Sequence, residues 1–238
     1  MALDRVARLP RRLAARGSQE LAARRLRAAL SVTHSLDLVT FGTGYGAWTI
    51  PNILNEHSNI YLAGIGMDVT FDLSLIARFG STVHAFDPVS EAVDYARAAT
   101  AAEPRFVLHE EGLWSADGTL RFYDHRQPGF VSHSATNMHG TSHHFEASVR
   151  SVDSLMAELG HDRLDLLKLS VEGSEYEIIE DVLAKRIAIL VLCVEFAQPA
   201  PLGRIKRTLQ QLERAGYGVV SASLPPWNWK ITLAADRT

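Results

Sequence analysis

The chain has 238 residues, with 24 Lys and Arg side chains against 27 Asp and Glu, and its formal net charge is −3. A hydrophobic fraction of 47% and a single cysteine are typical of a globular domain, and they exclude a disordered chain, a collagen and a small disulfide scaffold. No apolar run reaches the roughly 20 residues that a membrane span requires, and no signal-peptide pattern opens the chain. We therefore expect a cytoplasmic protein.

The charge is distributed unevenly along the chain. Residues 1–30 contain eight arginines and carry a net +6, so the rest of the chain carries −9. Leucine spacing here predicts two short amphipathic helices, broken at Pro10 and at Gly17-Ser18. We interpret residues 1–35 as a basic helical extension that packs on the domain or on a second copy of the chain, which allows a homo-oligomer. The alternative is an arm for a membrane surface or a nucleic acid, but we expect neither partner, since the remainder is acidic.

From about residue 58 onward, strand patterns and helix patterns alternate. The apolar runs that predict strands lie at residues 60–63, 82–86, 106–108, 164–169, 187–196, 219–221 and 230–233. Between them apolar residues recur every three to four positions, as in the series Phe71, Leu75 and Phe79 before Gly80. This alternation predicts an α/β fold over residues 36–238, with an open and mostly parallel sheet and helices on both faces.

The polar segment, residues 113–150, interrupts this alternation. We predict a hairpin near Thr119–Tyr123 and then a loop over the ligand-binding edge of the sheet, and we interpret the segment as an insertion or lid. Its histidines His139, His143 and His144 have the chemistry of metal ligands. The chain has no second cysteine and no acidic ligand run nearby, so we favour a lid and expect no metal.

A glycine motif follows the first predicted strand of the sheet. Gly64 and Gly66 let the backbone turn tightly and approach a ligand, whereas the third glycine of a dinucleotide fingerprint is replaced by Val69. A nicotinamide cofactor is therefore disfavoured. Asp68 would repel a phosphate and tolerates a cationic ligand better. The structural alternative is a strand-to-helix turn with Asp68 as a helix cap.

The second predicted strand ends in Asp87-Pro88. Asp87 lies 21 residues after Gly66, at the offset where a carboxylate meets the ribose hydroxyls of an adenosine cofactor. Asp at an N-cap with Pro at the first helical position is also a good helix start on its own. The two roles are compatible, because a capping carboxylate is expected to keep its second oxygen free.

A ten-residue motif closes the fourth predicted strand. Residues 167–176 read Leu-Lys-Leu-Ser-Val-Glu-Gly-Ser-Glu-Tyr, which resembles the hallmark of the FkbM-type S-adenosylmethionine-dependent methyltransferases. Further matches to that family follow in its order at residues 61–72, 84–88, 111–113, 132–134, 151–155 and 194–196. The resemblance covers roughly residues 40–235 and implies a Rossmann-like class I methyltransferase. Such a domain is a three-layer sandwich with a mostly parallel, seven-stranded sheet whose last strand is antiparallel.

The resemblance implies S-adenosyl-L-methionine as cofactor and a small-molecule acceptor, most often a hydroxyl on a sugar or natural-product intermediate. On this interpretation Glu110 or Glu111 faces the adenine side of the cofactor, and Gly112 and Leu113 allow close approach to the ring. The expected cofactor-binding residues are Gly64, Gly66, Asp68, Asp87, Pro88, Glu111, Gly112 and Leu113.

A hydroxyl acceptor needs a base near it. The candidates are Glu172, Glu175, Glu195 and His133, and Glu172 ranks first because the family motif and the sheet edge coincide there. Its structural alternative is a cap on the following helix. Glu175 is expected one turn into that helix, with Lys168 as an ion-pair partner.

Two positions depart from the family pattern. Ser170 replaces the usual Asp, and Ala197 replaces a frequent His. Ser170 stays a candidate catalytic residue because it can hydrogen-bond, although it cannot take a proton at neutral pH. The alternative function is a catalytically silent methyltransferase-fold binding protein. The four tryptophans have the character of acceptor-pocket residues, but core packing is the simpler interpretation for each; they are Trp48, Trp114, Trp227 and Trp229.

Overall fold

The computed structural model describes residues 17–32, 36–126, 131–198, 200–225 and 228–236. The helices are α1 (17–27), α2 (Thr70–Phe79), α3 (Ser90–Ala99), α4 (Val152–Leu159), α5 (Glu175–Ala184) and α6 (Leu202–Arg214). The strands are β1 (Leu38–Phe41), β2 (Trp48–Pro51), β3 (Ile60–Ala63), β4 (Val83–Phe86), β5 (Phe106–His109), β6 (Gly112–Leu113), β7 (Gly118–Asp124), β8 (His133–Ser134), β9 (His144–Arg150), β10 (Leu164–Leu169), β11 (Ile189–Ala197), β12 (Tyr217–Ser223) and β13 (Asn228–Ala235).

Seven of these strands form the main sheet, in the order β12-β13-β11-β10-β3-β4-β5. Neighbouring strands are parallel except for β13, which is antiparallel to both β11 and β12. The predicted mostly parallel sheet with an antiparallel last strand is confirmed. The strand order reverses between β3 and β10, and ligands of open α/β sheets bind beyond the carboxyl ends of the strands at such a point.

Two apolar cores make this a three-layer domain. One face of the sheet is covered by α1, α4, α5 and α6, and the other by α2, α3 and the β1–β2 hairpin. The strand β10 is buried along its whole length, because a parallel strand with layers on both faces is apolar at nearly every position. Helix α2 ends at Gly80, whose left-handed backbone (φ 73°) lets its N–H reach the carbonyl of Ile76.

The β1–β2 hairpin has no counterpart in the prediction. A short 3-10 turn at Gly44–Gly46 connects its strands, and Trp48 and Ile50 of β2 are buried against the second core. The hairpin precedes the alternation of strands and helices that begins near residue 58, so the prediction did not include it. The hairpin covers the face of the sheet next to β13.

The described part of the polar segment contains more strands than the predicted hairpin and loop. Strands β6, β9, β7 and β8 form a second sheet, in which β7 pairs with the distant β9. Phe122 and Val149 are buried in it, whereas most other side chains of β7 and β9 alternate into solvent. The small number of apolar residues hid these strands from the sequence pattern, and the role of the segment as a lid stays a prediction.

Helix α1 packs on the domain itself. Leu26 is 1% exposed within the first core, and Val32 forms a parallel bridge with Val219 at the edge of β12. The described part of the helix extends from residue 17 to 27, and the helix predicted before Pro10 lies outside the described residues. The boundary at residue 35 stays a prediction. No helix in the described ranges is both long and apolar enough to cross a bilayer.

We expect Leu26→Ala to lower the free energy of unfolding by about 2–5 kcal/mol, because it removes a buried side chain from the contact between α1 and the sheet. Chemical denaturation measures the change. Leu21→Ala on the same helix is the matched control: Leu21 is 50% exposed, and its loss should change stability by less than about 0.5 kcal/mol. Equal effects of the two changes would show that α1 does not dock as described.

Candidate active site

The two motif glycines after β3 have different roles. Gly64 has φ 81°, and a Cβ atom there would lie 1.9 Å from the backbone oxygen of Ser170. Gly66 has φ 58°, and its nearest obstacle to a Cβ atom is the Tyr45 hydroxyl at 3.8 Å. Gly64 is therefore required by backbone packing, whereas Gly66 leaves open space beside the loop for a ligand.

Asp87 holds this glycine loop in place. Its Oδ2 accepts the N–H groups of Ile65 (2.8 Å) and Gly66 (3.1 Å), and its Oδ1 accepts the N–H of Val89 (3.0 Å). The expectation that the second oxygen stays free is wrong, because that oxygen binds the loop. Asp87 is only 5% exposed, and burial raises its pKa against the opposing effect of these hydrogen bonds. One lone pair of Oδ1 stays available to a ligand.

A buried lysine lies beneath the loop. The Lys168 ammonium on β10 donates to the carbonyl oxygen of Gly64 at 2.6 Å, and the predicted ion pair with Glu175 does not form. The same charge opposes the effect of burial on Asp72 of α2, whose pKa is raised to about 6. Lys168 thus partly balances the carboxylates packed around the glycine loop, Asp72 and Asp87.

Asp68 lies just before helix α2, whose N-cap is Val69 and not Asp68 as the structural interpretation of the motif expected. Its Oδ1 accepts the N–H of Thr70 at 2.8 Å. Its other oxygen lies against the hairpin turn, where a Cβ atom at Gly46 would be 2.5 Å away. Asp68 therefore links the glycine loop to the hairpin turn.

Ser170 belongs to a hydrogen-bonded group at the ends of three strands. Its hydroxyl donates to Oε2 of Glu195 at 3.0 Å, and the Asn228 amide donates to Oε1 of the same carboxylate. Glu195 is thus held from both sides, by residues that lie 25 positions before it and 33 after it. The structure brings the predicted residues Ser170 and Glu195 together, and sequence reasoning missed Asn228.

Glu172 occupies a strained turn next to this group. Its φ of 48° is left-handed, which is uncommon for a residue with a side chain, and Gly173 follows with φ 99°. Burial raises the pKa of Glu172 to about 7, and the negative charge of Glu195 adds to the shift. The predicted alternative, a helix cap, is wrong for Glu172, because the N-cap of α5 is Ser174, and Glu175 Oε2 accepts the Gly173 N–H of the turn at 2.8 Å. Glu172 therefore has a carboxyl that titrates near neutral pH and does not cap α5.

Glu175 is fully buried at the start of α5. Its Oε1 has no hydrogen-bond partner within the described part of the chain, and burial raises its pKa to about 8. A carboxyl with this pKa is mostly protonated at neutral pH. Glu175 thus has a structural role, because its hydrogen bond to the Gly173 N–H stabilises the turn that contains Glu172.

The polar segment contacts the Glu172 turn directly. The Ser134 hydroxyl donates to the backbone oxygen of Glu172 at 2.7 Å, and a Cβ atom at Gly173 would lie 2.6 Å from Thr136 Oγ1. His133, the neighbour of Ser134, points to the opposite face of its strand. Its Nδ1 donates to the carbonyl of Val131 at 2.7 Å, and the structure does not bring it to the other base candidates.

The three predicted adenine-side residues follow β5. Burial raises the pKa of the half-buried Glu111. Gly112 packs tightly, since a Cβ atom there would lie 3.1 Å from Phe122 and 3.5 Å from Pro88. Leu113 is buried in the first core. Packing accounts for Gly112 and Leu113, and Glu111 is the member of this group that stays at the sheet edge.

The histidines of the polar segment bind different partners. His143 Nδ1 lies 2.9 Å from a carboxylate oxygen of Asp124, the His139 ring packs on His125, and His144 Nδ1 donates to the Ser142 carbonyl at 3.0 Å. Among the described residues, no group of three or more His, Cys, Asp or Glu side chains is placed to hold a metal ion.

A cavity of about 320 Å³ lies between the β1–β2 hairpin and strands β12 and β13. Trp48 is a wall of this cavity, Trp229 is buried in the first core, and Trp227 lies outside the described residues. Lys230 of β13 donates to the carbonyl oxygens of Tyr45 and Ala47, and its ammonium lies 4.8 Å from the centroid of the Trp48 ring. The sequence signal that could have predicted this cavity is the series of polar residues at alternate positions of the buried strand β13.

The strand order, the glycine loop and the acidic end of β4 define a Rossmann-like α/β fold. The family model described as the methyltransferase FkbM domain matches residues 63–219, about two thirds of the chain. The chain therefore belongs to the FkbM methyltransferase family, and the membership predicted from the motifs is confirmed. The family depends on S-adenosylmethionine, so the predicted cofactor is confirmed as well.

Curated relatives include the human and rat proteins named probable methyltransferase-like protein 24. The chain is 26% identical to each over 136 residues, which is 57% of this chain and 31% of the relative. It therefore spans about a third of the length of these relatives.

Similar solved structures include a fibrillarin pre-rRNA processing protein of Methanococcus jannaschii, with a TM-score of 0.47, 12% identity, and coverage of 79% of this chain and 70% of the other. Aeropyrum pernix fibrillarin with natively bound S-adenosylmethionine has a TM-score of 0.45, 8% identity, and coverage of 76% and 67%.

The two glycines should respond differently to alanine. Gly64→Ala forces a Cβ atom onto the Ser170 backbone, and we expect it to lower the free energy of unfolding by about 3 kcal/mol or more. Gly66→Ala should lower the free energy of unfolding by only about 1–2 kcal/mol, because alanine must adopt the left-handed backbone there. Its methyl group enters the open face, however, and should weaken binding of S-adenosylhomocysteine. Denaturant unfolding and calorimetric titration measure the two effects. Equal stability of the variants would contradict the assigned roles.

Glu175 should make stability depend on pH. Its pKa rises from 4.5 to about 8 on folding, so its contribution is complete below pH 4.5 and is lost as the pH rises through 8. We expect Glu175→Gln to reduce the loss of unfolding free energy between pH 5 and pH 9, which thermal or denaturant unfolding at each pH measures. Glu180→Gln, at an exposed position of the same helix, should keep the wild-type slope. An unchanged slope in Glu175→Gln would refute the assignment.

Proposed function

We propose that the protein transfers the methyl group of S-adenosylmethionine to a hydroxyl oxygen of a small molecule, a sugar or a natural-product intermediate. The observation that carries the proposal is Glu172, a carboxyl with a pKa of about 7 in a strained turn beside Ser170 and Glu195. A general base works best when its pKa is near the pH at which it operates. A hydroxyl acceptor requires such a base.

The residues around the glycine loop suit the cofactor. Gly66 leaves an open face, Asp87 keeps a lone pair on Oδ1, and Asp68 follows two residues after Gly66. Carboxylates favour a cationic sulfonium over a polyphosphate. We assign Pro88, Glu111, Gly112 and Leu113 to the adenine end, with Gly112 and Leu113 acting through packing. When bound, the cofactor supplies a methyl group that is already activated.

We propose that Glu172 accepts the proton of the acceptor hydroxyl and that Ser170 and Glu195 orient this hydroxyl. Glu195 accepts hydrogen bonds from Ser170 and Asn228, so its carboxylate is fixed in direction. Precise alignment of the acceptor with the methyl group accounts for a large part of the rate of enzymatic methyl transfer. His133 stays outside the proposed reaction, because its ring bonds to Val131 and lies near Asp124.

A second candidate function is a methyltransferase-fold protein that binds cofactor or ligand without transferring a methyl group. The serine at position 170 favours it, because a hydroxyl replaces the acid expected there. Both candidates predict binding of S-adenosylhomocysteine, weakened strongly by Asp87→Ala, which removes the carboxylate that holds the loop. They differ in methyl transfer.

The proposal predicts that Glu172→Gln lowers kcat by about 10²–10⁴-fold with little change in the affinity for S-adenosylhomocysteine. The wild-type rate should rise with pH through about 7, as Glu172 loses its proton, and the variant should lose this dependence. Mass spectrometry of methylated products from a panel of hydroxylated small molecules gives the rates, and calorimetry gives the affinities. The exposed Glu213→Gln is the control.

Full activity of Glu172→Gln would refute the assignment of the base. A wild-type protein that binds S-adenosylhomocysteine and methylates nothing, while Ser170→Asp gains transfer, would establish the silent binding protein instead.

A further inference from the structure

None of the residues that we assign to cofactor binding lines the cavity under the β1–β2 hairpin. Tyr45 and Trp48 of the hairpin form one wall, and strands β12 and β13 form the other. Its volume of about 320 Å³ is at the lower end of ligand pockets, which run from roughly 300 to 1,000 Å³. A cavity of this size suits a molecule of about one ring.

Paired residues connect this cavity to the site. In the main sheet Ser223 pairs with Lys230, and Lys230 pairs with Glu195, so the three side chains lie in one row on one face. Neighbouring strands are about 4.8 Å apart, which places the far end of the row about 10 Å from Glu195. Asn228 lines the cavity and also donates to Glu195. One small molecule can therefore touch both the cavity wall and the reacting end.

The hairpin also brings the cavity next to the cofactor loop. Tyr45, at the hairpin turn, is 67% exposed, lines the cavity, and has its hydroxyl near Gly66. The carboxylate of Asp68, which follows Gly66, lies against Gly46 of the same turn. The cavity therefore adjoins the cofactor loop through Tyr45 and the Glu195 carboxylate through Asn228.

The chemistry of the wall indicates the kind of occupant. Five Ser and Thr side chains line the cavity, and those of Ser221 and Ser223 make no hydrogen bond to other residues in the described ranges. Lys230 donates to two backbone carbonyls of the hairpin, and the carboxylates of Glu195 and Asp68 oppose its positive charge. Free hydroxyls, an aromatic wall and a lysine that is already bound fit a neutral, polyhydroxylated ring better than a phosphorylated or carboxylated molecule.

We infer that this cavity is the acceptor subsite and that it binds a neutral polyhydroxylated ring through Ser221 and Ser223, presenting one hydroxyl to Glu195 and Glu172. The inference rests on the proposed function, and it adds the place and the chemistry of acceptor recognition. Ser221 and Ser223 would be specificity-determining residues that lie on β12, away from the family motif at residues 167–176.

The test uses the full chain saturated with S-adenosylhomocysteine and a panel of methyl glycosides of hexoses and 6-deoxyhexoses. Tetrahydropyran serves as the ring without hydroxyls. Saturation-transfer NMR and titration measure binding of each probe. The double variant Ser221→Leu/Ser223→Leu fills the cavity, and Ser148→Leu, at an exposed position of β9 in the polar segment, is the matched control.

We expect at least one glycoside to bind the wild type and Ser148→Leu, and to lose roughly tenfold or more in affinity in the double variant. Affinity for S-adenosylhomocysteine should stay within about twofold, which shows that the variant is folded. Glycoside binding that survives the double change would overturn the location. Binding of tetrahydropyran alone, or of no probe at all, would overturn the chemistry. Failure of the wild type to bind S-adenosylhomocysteine would refute the proposed function itself.

Discussion

The close approach of Gly64 to the backbone of Ser170 is the constraint on which the site depends. Two backbone segments, at the ends of β3 and β10, meet where a single methyl group would not fit. Lys168 donates to Gly64 from within the sheet, and Asp87 accepts the next two amides. Because these contacts fix the loop from two sides, Gly66 is presented with its open face outward. The same contact sets the position of Ser170 relative to Glu195.

Charge at this edge is arranged by burial more than by ion pairing. Carboxyl groups of Asp72, Glu172 and Glu175 all have raised pKa values, with desolvation as the largest cause. Lys168 and Lys230 donate to backbone carbonyls and offset the carboxylates only at short range. The result is a set of acids that keep different protonation states at one pH. Such a separation gives one carboxyl a structural role and leaves another free to exchange a proton.

Most of the main sheet and the cofactor loop were predictable, because their signals are local. Apolar runs, helix spacing and the glycines identify β3, β4, β10 and β11 with the helices between them. The hairpin was not, because it precedes the alternation of strands and helices, and the second sheet was not, because its strands have few apolar residues and pair over long distances. Asp87 was placed correctly at a strand end, but its contacts to Ile65 and Gly66 depend on the neighbouring strand. The position of His133 was also not predictable, since the alternation of side chains along β8 places its ring on the opposite face from Ser134, away from the other candidate bases.

The sequence by itself determined the family, the cofactor and the order of the main-sheet strands along the chain, since each follows from short motifs and their spacing. Only the tertiary structure decided which strand lies beside which, and therefore which side chains share a surface. The group of Ser170, Glu195 and Asn228 comes from three strands, and the contact between Lys230 and Tyr45 joins residues 185 positions apart. No local pattern encodes such contacts, because they arise from strand register and from the hairpin that covers the sheet.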